Sequence, residues 1–348
     1  MGKKPNIFWL LSFIIPIYLF ICVGMFFVQW AHKPILLTNN EAQITLSKGT
    51  SLQTLSLELE KSGLIKNPFF FQLWVRLHLH SYERFLAGNY LFTEKVSAQE
   101  IVQTMIEGKT YNPVFLEFTI PEGATFAQIR AHLVSLQVGT EEDFLKLSKD
   151  KLFLSSLGIP YLEGFLFPAT YVFHNKQPTA KEVVERIVQE FFTRIPQNYK
   201  ENLELNALTL EQWVAFASLI EKEAYAAEER PMISEVIWRR LKAGIALGID
   251  AALIYGIKNY NGDITRADLQ NPKNLYNNRM HCGLPPTAIA SPSLDALISV
   301  FHPTSEGYYY FVLIPGSEKR HHFSTNLKEH NMHVQDLVRA QRAPKREP

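Results

Sequence analysis

From Ile7 to Val28 the chain carries no charged residue, a run long enough to cross a bilayer as one helix. Beyond it apolar and polar positions alternate in short periods. Gln43 to Leu46 predicts a strand, Ser47-Lys48-Gly49 a turn, and Thr50 or Ser51 the cap of a helix that stops at Gly63. Asn67-Pro68 opens a second helix, with Asn as cap and Pro at the first helical position. That helix carries Phe70, Phe71, Trp74, Val75 and Leu77, and Phe69-Phe70-Phe71 with Trp74 are read as core rather than as a sugar-stacking platform. Ala87 to Phe92 reads as a strand. Ser97 and Glu100 form a capping box for a helix that Gly108 ends. The result is a small α+β unit. The pattern Thr45–Leu52 returns at Thr119–Phe126, with Leu55 and Leu59 answered by Ile129 and Leu133. Both stretches read as strand, glycine turn, helix. From about Lys181 the 3.6-residue period dominates and predicts helices at Lys181–Arg194, Leu210–Ala226 and Pro231–Lys242. A strand follows at Tyr308–Ile314, a turn at Gly316, an extended stretch at His321–Thr325 and a last helix over roughly Leu327–Arg342.

The fold class is therefore α+β: an N-terminal transmembrane helix, a small α+β domain and a helix-rich α+β domain. The expected divisions are 1–33 for a stub and anchor, 41–112, 113–342, and a loose basic tail at 343–348. The anchor tolerates Pro16, and Trp9, Tyr18 and Trp30 fall only partly at the expected interface depths. A cleaved signal peptide would need a shorter apolar core and a small-residue cleavage site, which Val28–His32 does not supply. Lys3 and Lys4 precede the span, so the N-terminus is expected in the cytoplasm and the rest of the chain outside it.

The chain of 348 residues has a formal net charge of +1, which argues against a nucleic-acid partner. Cys22 and Cys282 are too few for a disulfide framework.

The strongest chemical candidate lies in the helix begun by the capping box Thr209/Gln212. On a helical wheel Trp213, Phe216, Ala217, Ile220 and Ala224 share a face, and Lys222 points away. Glu221 falls among Leu210, Val214 and Ala217, nearer the apolar centre than Glu223 at the polar margin. A carboxyl group there loses hydration, which favours its neutral form and suits a general acid. A Glu on an amphipathic helix is otherwise an ordinary surface residue. Glu163, before Gly164, either lines a cleft or caps a turn. Asp250 either stabilises positive charge or makes an Asx turn. Tyr276-Asn277 and Gly283-Leu284-Pro285-Pro286 read as a rigid loop with hydrogen-bonding groups. His321, His322, His330 and His333 match no structural-zinc spacing, so no metal is expected.

Several segments recur in a recognisable order. They are Leu162-Glu163-Gly164-Phe165-Leu166-Phe167-Pro168, Ala217-Ser218-Leu219-Ile220-Glu221-Lys222-Glu223, Ile254-Tyr255-Gly256, Tyr276-Asn277, Gly283-Leu284-Pro285-Pro286, Ala288-Ile289-Ala290, Tyr310-Phe311-Val312, His321, Phe323 and Glu329-His330-Asn331. This ordered set resembles the endolytic murein transglycosylase family, also called membrane-bound lytic transglycosylase G. The resemblance implies cleavage of the bond between N-acetylmuramic acid and N-acetylglucosamine within nascent glycan strands, with 1,6-anhydro ends, termination of strand elongation and no cofactor. It maps the family's catalytic Glu onto Glu221 and leaves Glu163, Asp250, Tyr276, Asn277 and His321 as substrate-binding candidates. It implies a LysM-like small domain, a catalytic part in the periplasm and an anchor in the cell inner membrane. The implied partners are peptidoglycan strands, membrane lipid and, as candidates, peptidoglycan synthases. The chain departs from the family's pattern at Ala169, Gly248 and Ser293, where the family usually has Asp, Gln and Gly. The alternatives are a membrane-anchored glycosidase that uses water with a second carboxylate, and a non-catalytic glycan-binding scaffold.

Overall fold

The structure is a computed structural model in which residues 7–77, 84–317 and 319–342 are described; the stub before Ile7 and the basic tail after Arg342 lie outside them. The chain forms two compact units, Met1–Pro113 and Val114–Pro348.

The first unit opens with α1 (Ile7–His32), which contains Pro16. Within it, Ile14–His32 is long and apolar enough to cross a membrane, and almost none of that stretch is buried. A core helix of a water-soluble protein would hide such a surface. Then come β1 (Ile35–Leu46), α2 (Leu52–Lys61), α3 (Pro68–Leu77), β2 (Gly88–Val96) and α4 (Ala98–Glu107). Strands β1 and β2 pair antiparallel from Ile35↔Val96 to Leu46↔Gly88. The caps fall where the sequence places them. Ser51 accepts from Thr54 N–H, Asn67 Oδ1 accepts from Phe70 N–H at 3.0 Å, and Ser97 and Glu100 cap each other's backbone. Strand β1 starts eight residues before the expected Gln43, because it crosses an irregularity between Leu36 and Glu41 that breaks the alternation. Leu55, Leu59, Phe71, Tyr90, Ile101 and Met105 fill the core. The end of α1 shares this core: Ala31 is buried, and Phe27 and Trp30 pack against it.

The second unit begins with β3 (Leu116–Thr119), α5 (Phe126–Ser135), α6 (Glu141–Lys149), α7 (Lys151–Ser156), β4 (Thr170–Phe173), α8 (Ala180–Arg194) and α9 (Tyr199–Leu205). It continues with α10 (Leu210–Glu223), a 3-10 turn at Ala227–Glu229, α11 (Arg230–Lys242), α12 (Asp250–Tyr255), α13 (Arg266–Leu269) and α14 (Leu294–Ser299). It closes with β5 (Tyr310–Leu313), β6 (His321–Ser324) and α15 (Leu327–Arg342). Strands β3 and β4 pair antiparallel, as do β5 and β6. The repeated pattern is structural in both copies: β1 leads through Gly49 into α2, and β3 through Gly123 into α5, each glycine at positive φ. Helix α10 ends at Glu223 rather than at the expected Ala226, because Ala224 adopts an extended conformation (φ −81°, ψ 104°). All eight residues from Trp213 to Ile220 are buried.

One glycine is fixed by contact. Gly164 has φ +81°, and a Cβ there would overlap Ala288 Cβ and lie 2.8 Å from Val214 Cγ1 on α10. The turn after Glu163 thus presses directly on the central helix. Gly164→Ala combines overpacking with a left-handed alanine and should destabilise this unit by about 2–4 kcal/mol. Equilibrium urea unfolding measures it, and an unshifted midpoint would show that the turn relaxes freely.

Candidate functional site

The last turn of α10 carries Glu221 and Glu223 into two different surroundings. Glu221 meets the start of α14. Ser293 donates to Glu221 Oε2 twice, from its backbone N–H at 3.0 Å and from its hydroxyl at 2.5 Å. The same hydroxyl accepts from Ala296 N–H at 3.2 Å and so caps α14. Ser293 therefore orients Glu221 while fixing its own helix. On another side lies the turn Pro121–Ala124. It is held to Ser291 by the pair of bonds Gly123 N–H to Ser291 C=O (2.9 Å) and Ser291 N–H to Ala124 C=O (2.8 Å). The Cβ position of Gly123 is 3.8 Å from Glu221 Cγ, and Lys222 Nζ donates to the Gly123 carbonyl at 3.3 Å. Glu122 in this turn is pushed above the ordinary carboxylate range, first by burial and then by the charge of Glu221, with Arg230 opposing.

Glu223 instead lines a cavity of about 610 Å³ with Arg240, Gly248, Asp250, Arg279, His321 and His330. Its carboxyl is pushed up to about 7, mainly by lost hydration and next by the charge of Asp250, against a hydrogen bond from Ala251 N–H and the charge of Arg279. This corrects the helical wheel, which puts Glu223 at the polar margin. The wheel assumes one wet side, but Trp213–Ile220 are buried on every face, and beyond them Glu223 is half-buried and lines a cavity. Asp250, the first residue of α12, makes no Asx turn there and pairs with Arg279 at 2.7 Å. Arg240 is held by carbonyls, Nε to Tyr309 at 2.7 Å and Nη1 to Leu247 at 2.7 Å, and lies over the Tyr310 ring. Gly248 has φ +68°, which suits glycine at this turn.

Most of the remaining candidates serve the frame. Glu163 is buried. It accepts from Phe126 N–H at 2.9 Å, the first residue of α5, and from Tyr255 O–H at 2.7 Å. Burial lifts its carboxyl despite those bonds. Of the two readings open for it, the backbone cap is the one its bonds match. Tyr276 is half-buried, packs edge-on against Tyr255 with centroids 4.8 Å apart, and shares a 2.8 Å bond with the Thr287 hydroxyl. Asn277 is fully buried, and its amide N–H₂ donates to the carbonyls of Asp268, Leu269 and Asn271. It holds the loop and has no free group for a ligand.

His321 is committed to Glu229: Nδ1 and Oε2 are 2.7 Å apart, and its backbone N–H donates to Oε1 at 2.9 Å. His322 stacks on His333, and His330 stacks on Tyr310. Among the described residues no group of three or more His, Cys, Asp or Glu could hold a metal ion. Both cysteines are free.

Sequence reasoning passed over Glu122, Arg279 and Glu229, each of which depends on a partner far along the chain. Ser293 was visible as a departure from the family's pattern, but its contact with Glu221 was not.

The model of the YceG-like family matches residues 44–336. The endolytic murein transglycosylase of Streptococcus pneumoniae is 28% identical over 369 aligned residues, which cover 95% of this chain and 65% of that protein. That of Bacillus subtilis is 26% identical over 306 residues, covering 83% of this chain and 82% of the relative. A crystal structure of a yceG-like protein from Listeria monocytogenes superposes with a TM-score of 0.57 at 28% identity, over 85% of this chain and 99% of that one.

The raised Glu223 carboxyl has a consequence for stability. The native state keeps this proton to about pH 7, whereas the unfolded chain releases it near the ordinary Glu value of 4.5. Between those values the native state binds more protons, so stability falls as pH rises and the cost is complete above about 7. Glu223→Gln should therefore raise the melting temperature more at pH 8 than at pH 5. Equal shifts at both pH values would show that the carboxyl is not desolvated.

Proposed function

The chain belongs to the YceG-like family, and from that membership and the placement of Glu221 we propose that it is an endolytic peptidoglycan lytic transglycosylase. The supporting observation is that Ser293 takes up only one oxygen of Glu221; Oε1 has no hydrogen bond among the described residues. A carboxyl group pinned through one oxygen, with the other free, can give and then take a proton without swinging. In the proposed reaction Glu221 protonates the glycosidic oxygen and the bond from C1 of muramic acid breaks. The C6 hydroxyl oxygen of the same sugar bonds to C1, and its proton returns to Glu221. No water is consumed, and the new end is a 1,6-anhydro sugar. One carboxyl group serves both steps, whereas hydrolysis usually takes two.

Asp250, held by Arg279, and Tyr276 are assigned contacts with the sugar. Glu163 acts through Tyr255 and the start of α5, Asn277 through the loop it ties, and His321 through the cavity wall it shares with Glu223. The small β-α-α-β unit is assigned a LysM-like role in holding glycan. Helix α1 anchors the chain in the cell inner membrane, with the N-terminus cytoplasmic and the catalytic unit periplasmic. There it cuts nascent strands within their length and ends their elongation beside peptidoglycan synthases.

Hydrolysis with water is the second reading, and Glu122 favours it, because its carboxyl feels the charge of Glu221. Mass analysis separates the two. The full chain in detergent, given purified peptidoglycan, should release fragments with anhydro-muramic ends, one water lighter than hydrolysed ends. Reducing ends alone would establish hydrolysis. Glu221→Gln should lower the rate by at least about 10²–10⁴-fold. Glu223→Gln should keep it within about tenfold and remove an inflection near pH 7. If Glu221→Gln turned over normally while Glu223→Gln did not, the proton carrier would be Glu223.

A further inference from the structure

The outer face of α3 is apolar where a water-facing helix would be polar. Phe69, Leu73 and Leu77 are 68%, 36% and 59% exposed, so Phe69, expected in the core, faces outward instead. At about 100° per residue they lie within about 80° of one another. The strip is bounded by Arg76 on one side. On the other side lie Phe70 and Trp74, and these two touch α1. Phe27 of α1 packs edge-on against Phe70 (6.1 Å) and Trp74 (5.6 Å), and Trp30 packs against Phe70 (5.5 Å). The strip therefore continues the apolar surface of α1 without a polar break.

Depth along α1 gives this contact its meaning. Phe27 precedes Lys33, the first charge after the span, by six residues, about 9 Å along a helix axis. If Lys33 lies among lipid headgroups, Phe27 lies at or below the boundary with the acyl chains, because each headgroup layer is only about 5–8 Å thick. A helix packed on Phe27 then cannot stand clear of the membrane. Beside it, Lys33 and Lys66 line a cleft of about 460 Å³ with Trp30 and Leu36. Leu36 is 81% exposed. Tryptophan and lysine at that level are the usual neighbours of headgroups.

We propose that α3 is a second membrane contact: its Phe69/Leu73/Leu77 face rests in the interface of the bilayer that α1 spans. The occupant of this face is lipid. The small unit is then held flat against the membrane by two elements and does not swing on a single tether. The proposal rests on the reading of α1 as a span.

Spin labels on the full chain in lipid nanodiscs test it. In a background with Cys22→Ser and Cys282→Ser, single substitutions Phe69→Cys, Leu73→Cys and Leu77→Cys are labelled. Phe20→Cys in α1 serves as the lipid reference, and Lys61→Cys and Arg76→Cys as the aqueous ones. Labels at 69, 73 and 77 should relax several-fold faster with oxygen than with a water-soluble nickel chelate, as at 20, while 61 and 76 show the reverse. If 69, 73 and 77 behave like 61 while 20 reports lipid, the anchor stands and the proposal is overturned. If 20 also reports water, α1 is not a span and the proposal is overturned with it.

Discussion

Burial of eight consecutive residues of α10, Trp213 to Ile220, is the constraint from which the site's geometry follows. A helix sheathed all round has no freedom to roll. Each large apolar side chain removed from water on it contributes about 1.5–3 kcal/mol, and polar bonds add registration. Trp213 Nε1 donates to the Leu297 carbonyl at 2.9 Å, which ties α14 to α10. Ser218 donates to its own helix at Ala215 and accepts from Ile289 N–H at 3.1 Å, which ties the loop before α14 to the same helix. With α14 and that loop fixed, Ser293 has one place to go, against Glu221. The carboxylate is positioned because the helix below it cannot move.

Local chemistry was legible where partners are near in sequence. The boxes Ser97/Glu100 and Thr209/Gln212 form as their spacing requires, and Asn67 caps the helix that Pro68 begins. The repeated strand, glycine and helix pattern is real in both copies. What failed was the inference from a wheel. Glu221 and Glu223 were ranked by apolar neighbours within α10, but their surroundings are made by Ser293 and Glu122 for one, and by Asp250, Ala251 and Arg279 for the other. None of these is within 25 positions of the helix; the nearest, Asp250 and Ala251, lie 27 and 28 positions beyond Glu223. Even those two lie beyond another helix, α11.

Two further acids show the same limit from the side of stability. Glu235 on α11 is buried. Burial alone would raise its carboxyl, but bonds from the Thr304 hydroxyl and from the N–H groups of Gly307, Glu306 and Tyr308 together hold it below the ordinary range. Glu229 does comparable work for His321. Each carboxylate stands in for water at backbone N–H groups at the edge of the β5–β6 pair. Glu235 holds the approach to β5, and Glu229 holds His321 at the start of β6, which lines the Glu223 cavity. In a sequence they read only as one acidic residue just before a helix and another in its middle.

The spacing of the two glutamates carries a last consequence. Residues two apart on a helix diverge by about 200°, so Glu221 and Glu223 cannot close on one atom of a substrate. A reaction that needs both carboxylates at a single bond would have to draw its second from elsewhere, and Glu122, whose carboxyl feels the charge of Glu221, is one such group. Glu223 is left to set the charge of its cavity. Near pH 7 that cavity gains or loses a negative charge beside the Arg279–Asp250 pair. The same helix end thus holds two carboxylates in different surroundings, Glu221 bonded by Ser293 at the start of α14 and Glu223 facing a cavity beside Asp250 and Arg279.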